Sequence, residues 1–340
     1  MSEKLQQLIS HWNGMNQQLL DLLRERAIKE DEIAQEKQSQ GVSETEPHGD
    51  QALLNEVANH FEPIPKKEET LITPKLLVSR QHKREDTIIR IKDIEIGGSS
   101  HILVAGPCSV ESKDQLLTVA AAMKNAGVSV LRGGAYKPRT SPYDFQGLGE
   151  EGLKMMKEVA DEIGMVTISE IMSASQLETA ARYVDVFQIG ARNMQNFDLL
   201  KAVGQTQKPI LLKRGLSATL EEFIHAAEYI LYHGNDQVML IERGIRTFEK
   251  WTRNTLDISA VPILKQETHL PVLVDVTHST GRKDILLPCA KAALAAGADG
   301  IMVEVHPNPQ VALSDAKQQI NLDEFSTFWN GLRDSGLYRN

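Results

Sequence analysis

Eight short apolar runs in this chain each close on a residue type able to do chemistry: Cys108, Arg132, Glu170, Arg192, Lys213 followed by Arg214, Arg243, His278 and Glu304. Loops are polar, so one such residue after one run means little. The same placement at every run points to a shared site. Cys108, His278 and Glu304, joined by Asp315 in A-L-S-D-A-K, offer a thiolate, an imidazole and two carboxylates. A mixed nitrogen, oxygen and sulfur set suits a divalent transition metal, with a position left open for water or substrate. Cys108 by itself reads better as a small buried apolar side chain; the set is what argues for a metal. Cys289, inside the apolar run L-L-P-C-A-K-A-A-L, reads as core.

The cations make a second group. Arg132, Lys137, Arg192, Lys213 and Arg243 follow or flank apolar runs in a chain whose formal net charge is −9. Gathered in a low-dielectric cleft they repel one another unless a multiply charged anion sits among them. Arginines grip phosphate and carboxylate oxygens in bidentate fashion. Arg139, Thr140 and Ser141, on the proline-stiffened stretch K-P-R-T-S-P, add a guanidinium and two hydroxyls and read as a separate phosphate site. Lys66-Lys67 and Lys83-Arg84 read as solvated surface charge. Two phosphorylated substrates held side by side are the expectation.

These residues need elements to position them. The runs I-L-V-A-G-P-C-S, S-V-L-R-G-G, V-T-I-S-E-I, V-F-Q-I-G-A-R, P-I-L-L-K-R-G, V-M-L-I-E-R-G, V-L-V-D-V-T-H-S and G-I-M-V-E-V-H are apolar at their centres, as parallel strands covered on both faces should be. Helical segments separate them, among them 115–126, 151–163, 220–232 and 285–296. Eight such units over this length predict an α/β (β/α)8 TIM barrel, whose strand ends converge on one mouth; an open doubly wound sheet is the rival. Ahead of it, Leu5, Leu8, Trp12, Met15, Leu19, Leu22 and Leu23 have the spacing of an amphipathic helix over residues 1 to about 40. A loop, a shorter helix over about 50–60 and a polar linker follow. The expected organisation is a small two-helix region at 1–62, linker and lead-in at 63–87, and the barrel at 88–340. So small a helical region is a poor core alone and is expected to pack on the barrel or on a partner chain.

Composition narrows the class. The 340 residues are 41% hydrophobic and 24% charged, with two cysteines, which predicts no disulfide framework and a reducing, cytoplasmic setting. The start M-S-E-K-L-Q-Q-L has no secretory apolar core, and no run approaches a membrane span. The negative total speaks against nucleic-acid binding.

Five motifs then carry a resemblance. V-A-G-P-C-S at 104–109, L-R-G-G-A-Y-K-P-R-T-S-P at 131–142, Q-I-G-A-R-N-M-Q-N at 188–196, L-L-K-R-G at 211–215 and V-D-V-T-H-S-T-G-R-K-D at 274–284 resemble 3-deoxy-D-arabino-heptulosonate-7-phosphate (DAHP) synthases of the short bacterial subfamily, over about 76–328. The resemblance implies condensation of phosphoenolpyruvate with erythrose 4-phosphate, the first step of the shikimate pathway. It implies Cys108, His278, Glu304 and Asp315 as metal ligands, for Mn2+, Fe2+, Co2+ or Zn2+. It implies Arg132, Lys137, Ala191, Arg192, Lys213 and Arg243 as the phosphoenolpyruvate site and Lys137, Pro138, Arg139 and Thr140 as the erythrose 4-phosphate site. On those roles Lys137 is the expected proton donor and Glu170 the expected water-orienting group. A related synthase, making KDO 8-phosphate from arabinose 5-phosphate, has an Ala-Asn-Arg-Ser segment where this chain has K-P-R-T. A Schiff-base aldolase using Lys213 is disfavoured, because Lys213 adjoins Arg214 among anion-binding groups.

The N-terminal segment is similar to a chorismate mutase domain, with Arg26 and Lys37 at its cation positions. Ile9 stands where that family has an arginine, and E-P-H-G-D at 46–50 lacks the loop arginine. The resemblance therefore implies a degenerate mutase. Its expected role is docking a separate mutase or a feedback ligand, or serving as an oligomerisation arm in a homo-oligomer; a bifunctional synthase and mutase is the alternative.

Overall fold

The computed structural model describes residues 3–40 and 76–339, and the chain divides into two units, 1–69 and 70–340. In the first, α1 (Glu3–Ser39) realises the predicted long helix. It carries i,i+3 ion pairs, Arg24 with Asp21 and Lys29 with Glu32, and leaves Trp12, Met15, Leu22, Ile28 and Ile33 exposed. The predicted second helix and the linker, with the loop at 46–50, lie outside the described residues.

The second unit opens with a lead-in whose Leu77 and Val78 amides both donate to the Glu228 carboxylate, at 3.0 and 2.9 Å. A hairpin follows, β1 (Ile89–Ile91) pairing antiparallel with β2 (Ile94–Ile96). Then come eight parallel strands: β3 (Ile102–Gly106), β4 (Val130–Arg132), β5 (Val166–Ile171), β6 (Val186–Ile189), β7 (Ile210–Lys213), β8 (Val238–Glu242), β9 (Val272–Asp275) and β10 (Gly300–Glu304). They close into a barrel when β10 pairs with β3 in register Glu304↔Gly106. This is the TIM barrel expected from the runs, not an open sheet.

Its interior is filled by Val104, Ile168, Leu211, Met239, Leu273 and Met302, and Ile89, Ile91 and Ile96 of the hairpin join the same apolar cluster. The cluster includes the first residues of β4, β5 and β6, so the hairpin caps the strand starts. The strand ends are left to the site.

Helices cover the outside. The predicted 220–232 helix runs Leu220–Tyr232, started by a reciprocal capping box between Thr219 and Glu222. The one predicted at 115–126 begins earlier, at Lys113, because the Ser112 side chain accepts the Gln115 amide. The run ending in His278 departs more. Its strand stops at Asp275, whose carboxylate accepts the His278 amide and starts a one-turn helix, Val276–Thr280. His278 therefore sits on a helical turn beyond the strand.

Candidate active site

Cys108, His278, Glu304 and Asp315 come together as the strand-end pattern required, with one ligand atom from each within 4.8 Å of the others. Because β9, β10 and β3 are neighbours in the barrel, three of the four donors are carried by adjacent strands or their immediate continuations. Asp315 joins from the loop after β10 in a left-handed conformation, φ 46°, which Asp tolerates better than most residues. Its Oδ2 lies 3.5 Å from the Cys108 Sγ and 3.7 Å from the His278 Nε2, which is itself 3.2 Å from the Glu304 Oε1. Gly106, φ 150°, lets the chain turn at the end of β3; a Cβ there would collide with the Arg132 carbonyl.

Protonation suits a metal. Burial, helped by the Glu304 charge, pushes the Cys108 thiol up to about 12, so an incoming cation must displace its proton. Burial also lowers His278, against the pull of Asp275 and Glu304, favouring the neutral imidazole that ligates. Burial alone would raise Asp315 and Glu304; His278 with Arg253, and His278 with Arg132, outweigh it and hold both low. Asp275 Oδ2 accepts from the His278 Nδ1 at 2.7 Å, which leaves Nε2 facing the cluster, as a second carboxylate behind a ligating histidine does.

Beside these donors lies a cavity of about 260 Å³, lined by Arg132, Lys137, Pro138, Arg139, Thr140, Glu170, Ala191, Arg192, Lys213 and Arg243, and by His278 and Asp315. Four of these cations have distinct anchors. Arg132 Nη1 donates to the Pro107 carbonyl at 2.6 Å and to Glu304 at 3.1 Å, while its buried Nε has no partner. Lys213 pairs with Asp275 at 2.6 Å, and burial pulls its ammonium below the usual range despite that partner. Arg243 reaches only carbonyls, those of Gly244 and His278, at 3.3 Å. Lys137 donates to the Cys108 carbonyl and approaches its Sγ, both at 3.0 Å. Glu170 has a buried Oε1 with no partner, seated so close to Gly190 that any Cβ there would collide with it.

Two named residues do not face this cavity. Ser141 is not among its lining; its hydroxyl accepts the Tyr143 amide at 3.2 Å within the loop. Arg214, next to Lys213, is buried against Glu242 and Asp257 at 2.9 and 2.8 Å. Cys289 packs partly buried against the core.

Sequence reasoning did not pick out Asp275, Gln188, Arg253, Gln318 or Gln319. Asp275 had a signal, as a charge inside V-L-V-D-V-T-H. Arg253 and Gln188 line the cavity, and Gln318 and Gln319 are buried behind the donors. Gln188 stands inside β6 as a polar residue within an apolar run, whereas Arg253, Gln318 and Gln319 lie outside the strands and carry no sequence mark of such placement.

A model of the DAHP synthetase I family matches residues 78–336. The phospho-2-dehydro-3-deoxyheptonate aldolase of Thermotoga maritima is 53% identical over 271 residues, 79% of this chain and 80% of that protein. A crystal structure of that enzyme, also named DAHP synthase, aligns with a TM-score of 0.76 at 51% identity, covering 79% of this chain and 80% of that one. The 2-dehydro-3-deoxyphosphooctonate aldolase of Desulfosudis oleivorans is more distant, 33% identical over 258 residues, 70% of this chain and 91% of that protein. With the match running through the barrel and its mouth, the chain belongs to the DAHP synthetase I family.

Proposed function

We propose that this chain condenses phosphoenolpyruvate with erythrose 4-phosphate to give DAHP and phosphate, the entry step of the shikimate pathway. The observation that carries the reading is the single cavity in which Arg132, Arg192, Lys213 and Arg243 meet the K-P-R-T loop beside the Cys108, His278, Glu304 and Asp315 cluster. Those four residues would hold a divalent metal ion, whose chemistry is Lewis-acid polarisation of the aldehyde. Arg132, Arg192, Lys213 and Arg243, with the Ala191 backbone, bind phosphoenolpyruvate and remove its orientational freedom before reaction. Pro138, Arg139 and Thr140 bind the phosphate of the sugar, with Ser141 supporting the loop. As C3 of phosphoenolpyruvate adds to the aldehyde, Lys137, buried between the two groups, gives a proton to the forming alkoxide. Water adds at C2, oriented by Glu170, and phosphate then leaves by C–O cleavage.

The test is phosphoenolpyruvate consumption by a metal-replete preparation. It is expected with erythrose 4-phosphate and not with arabinose 5-phosphate; turnover with only the five-carbon sugar would overturn the acceptor assignment. The N-terminal segment we read as a degenerate mutase that serves regulation, by docking a feedback ligand or a separate mutase, or as an arm in a homo-oligomer. Conversion of chorismate to prephenate by the purified chain would overturn its degeneracy. Among the described residues no helix is long and apolar enough to cross a membrane.

A further inference from the structure

Behind the four donors lies a second layer that the fold builds from one dipeptide. Gln318 Nε2 donates to the Glu304 Oε2 at 2.7 Å and to the Asp315 Oδ2 at 3.1 Å. Its Oε1 accepts from the Arg253 Nη1 at 2.7 Å, and the same Nη1 donates to the Asp315 Oδ2 at 3.0 Å. Gln319, adjacent in sequence, accepts the Cys108 amide at 2.8 Å and donates to the Ser314 carbonyl at 2.8 Å. Both glutamines are buried.

The side-chain type is dictated by this pattern. Gln318 must donate to two carboxylates and accept from a guanidinium at once. A primary amide does both, whereas glutamate has no donor to spare and lysine no acceptor. The layer reaches the remaining donor through backbone. Arg253 N donates to the Thr280 carbonyl at 2.8 Å, and Asn254 uses its Nδ2 to hold the His278 carbonyl at 2.9 Å. A Cβ on Gly281 would press into the Arg253 Cβ, so the one-turn helix and the Arg253 segment lie in tight register. All four donors are thus indexed to one frame. It also keeps Asp315 in a left-handed backbone conformation that an unsupported loop would leave.

We propose that the Gln318–Gln319 pair, locked by Arg253, is the positioning element of the metal centre and sets its affinity for a divalent cation. The pair touches neither substrate nor metal; it aims the residues that do. This rests on the reading of the Cys108, His278, Glu304 and Asp315 cluster as a metal site.

The probe is Co2+ added to metal-stripped protein. Binding is read by competition with a chromophoric chelator and by the thiolate-to-Co2+ charge-transfer band. Gln318→Met and Gln319→Met keep size and net charge while deleting the polar contacts. Each is expected to weaken Co2+ binding ~10–100-fold, the usual cost of an outer-layer loss. Gln318→Met should also shift the d–d spectrum, because two carboxylates lose their orientation. Melting of the metal-free proteins, expected to be near that of the parent, separates this from misfolding. If Gln319→Met fails to fold, Gln318→Met reads the same quantity. Parent-like affinity and spectrum in a folded Gln318→Met would overturn the proposal while leaving the metal site intact. Absence of a charge-transfer band in the parent itself, unchanged by Cys108→Ser, would overturn the metal reading and this inference with it.

Discussion

At the closed end of the barrel, Ile89, Ile91 and Ile96 pack onto Ile102, Val130, Val166 and Val186, and the charges nearby are matched. Lys265 meets Asp299 at 2.9 Å, Lys92 meets Asp185 at 3.1 Å, Arg80 meets Asp86, and Glu228 takes two backbone amides. At the open end, seven lysines and arginines line one cavity, and two of them share their anionic partner with His278: Glu304 serves Arg132 and His278, and Asp275 serves Lys213 and His278. Among the described residues three buried polar side-chain atoms lack any partner; two of them belong to Arg132 and Glu170, which line the mouth. The third, on Glu267, lies at the end of an outer helix. The Arg80 amide donates to the Glu267 carbonyl, so the closed end keeps one such atom, while the mouth gathers two among its crowded cations. A deficit of partners where burial is greatest is costly, and it marks the end where ligands supply what the protein withholds.

The comparison is broken most forcefully by removing the metal. Chelation followed by buffer exchange is expected to abolish turnover, and a divalent metal to restore it; full activity of thoroughly demetallated protein would contradict the reading. Next comes Arg132→Met at the mouth. Loss of a preorganised cation is expected to lower kcat/KM ~10²–10³-fold, with steady-state kinetics as the readout. At the closed end, Ile96→Val should cost ~0.5–1.5 kcal/mol of stability in denaturant unfolding and leave kcat and KM unchanged. A kinetic effect there would mean that the plug and the mouth are coupled.

The smallest effect expected is at Asp86. Burial would raise its carboxyl, but Arg80 and Lys265 outweigh it and hold it below the ordinary value. A depressed folded-state value means that its stabilising effect is present above about pH 3.9 and fades as pH falls through the folded value. The exposed character of the pair limits the effect to ~0.2–1 kcal/mol. Asp86→Asn should therefore lower the melting temperature slightly at neutral pH and converge with the parent in acid, without change in activity.

Much of the site was legible beforehand because strand ends in a closed barrel have nowhere else to converge. Cys108, Arg132, Lys213 and Glu304 follow from that rule, and the structure places them together. His278 was legible by type but not by element, since a side-chain cap from Asp275 converts the end of its run into a helical turn. Ser141 was read into the substrate site from its neighbours on the K-P-R-T-S-P stretch; its hydroxyl accepts the Tyr143 amide within the loop, a contact that the sequence does not mark.

Apolar patterning in the sequence alone determined the eight-strand barrel, because strands covered on both faces must be apolar throughout and the helices between them must return. It also determined which residue types stand at the mouth. Only the tertiary structure decided which of those charges pair, which carboxylate serves two partners, and that Gln318 and Gln319 stand behind donors up to 211 residues away. Pairing of that kind depends on ångström-scale approach between loops, and loop polarity in the sequence is the same whether a side chain meets water, an anion or a ligand carboxylate.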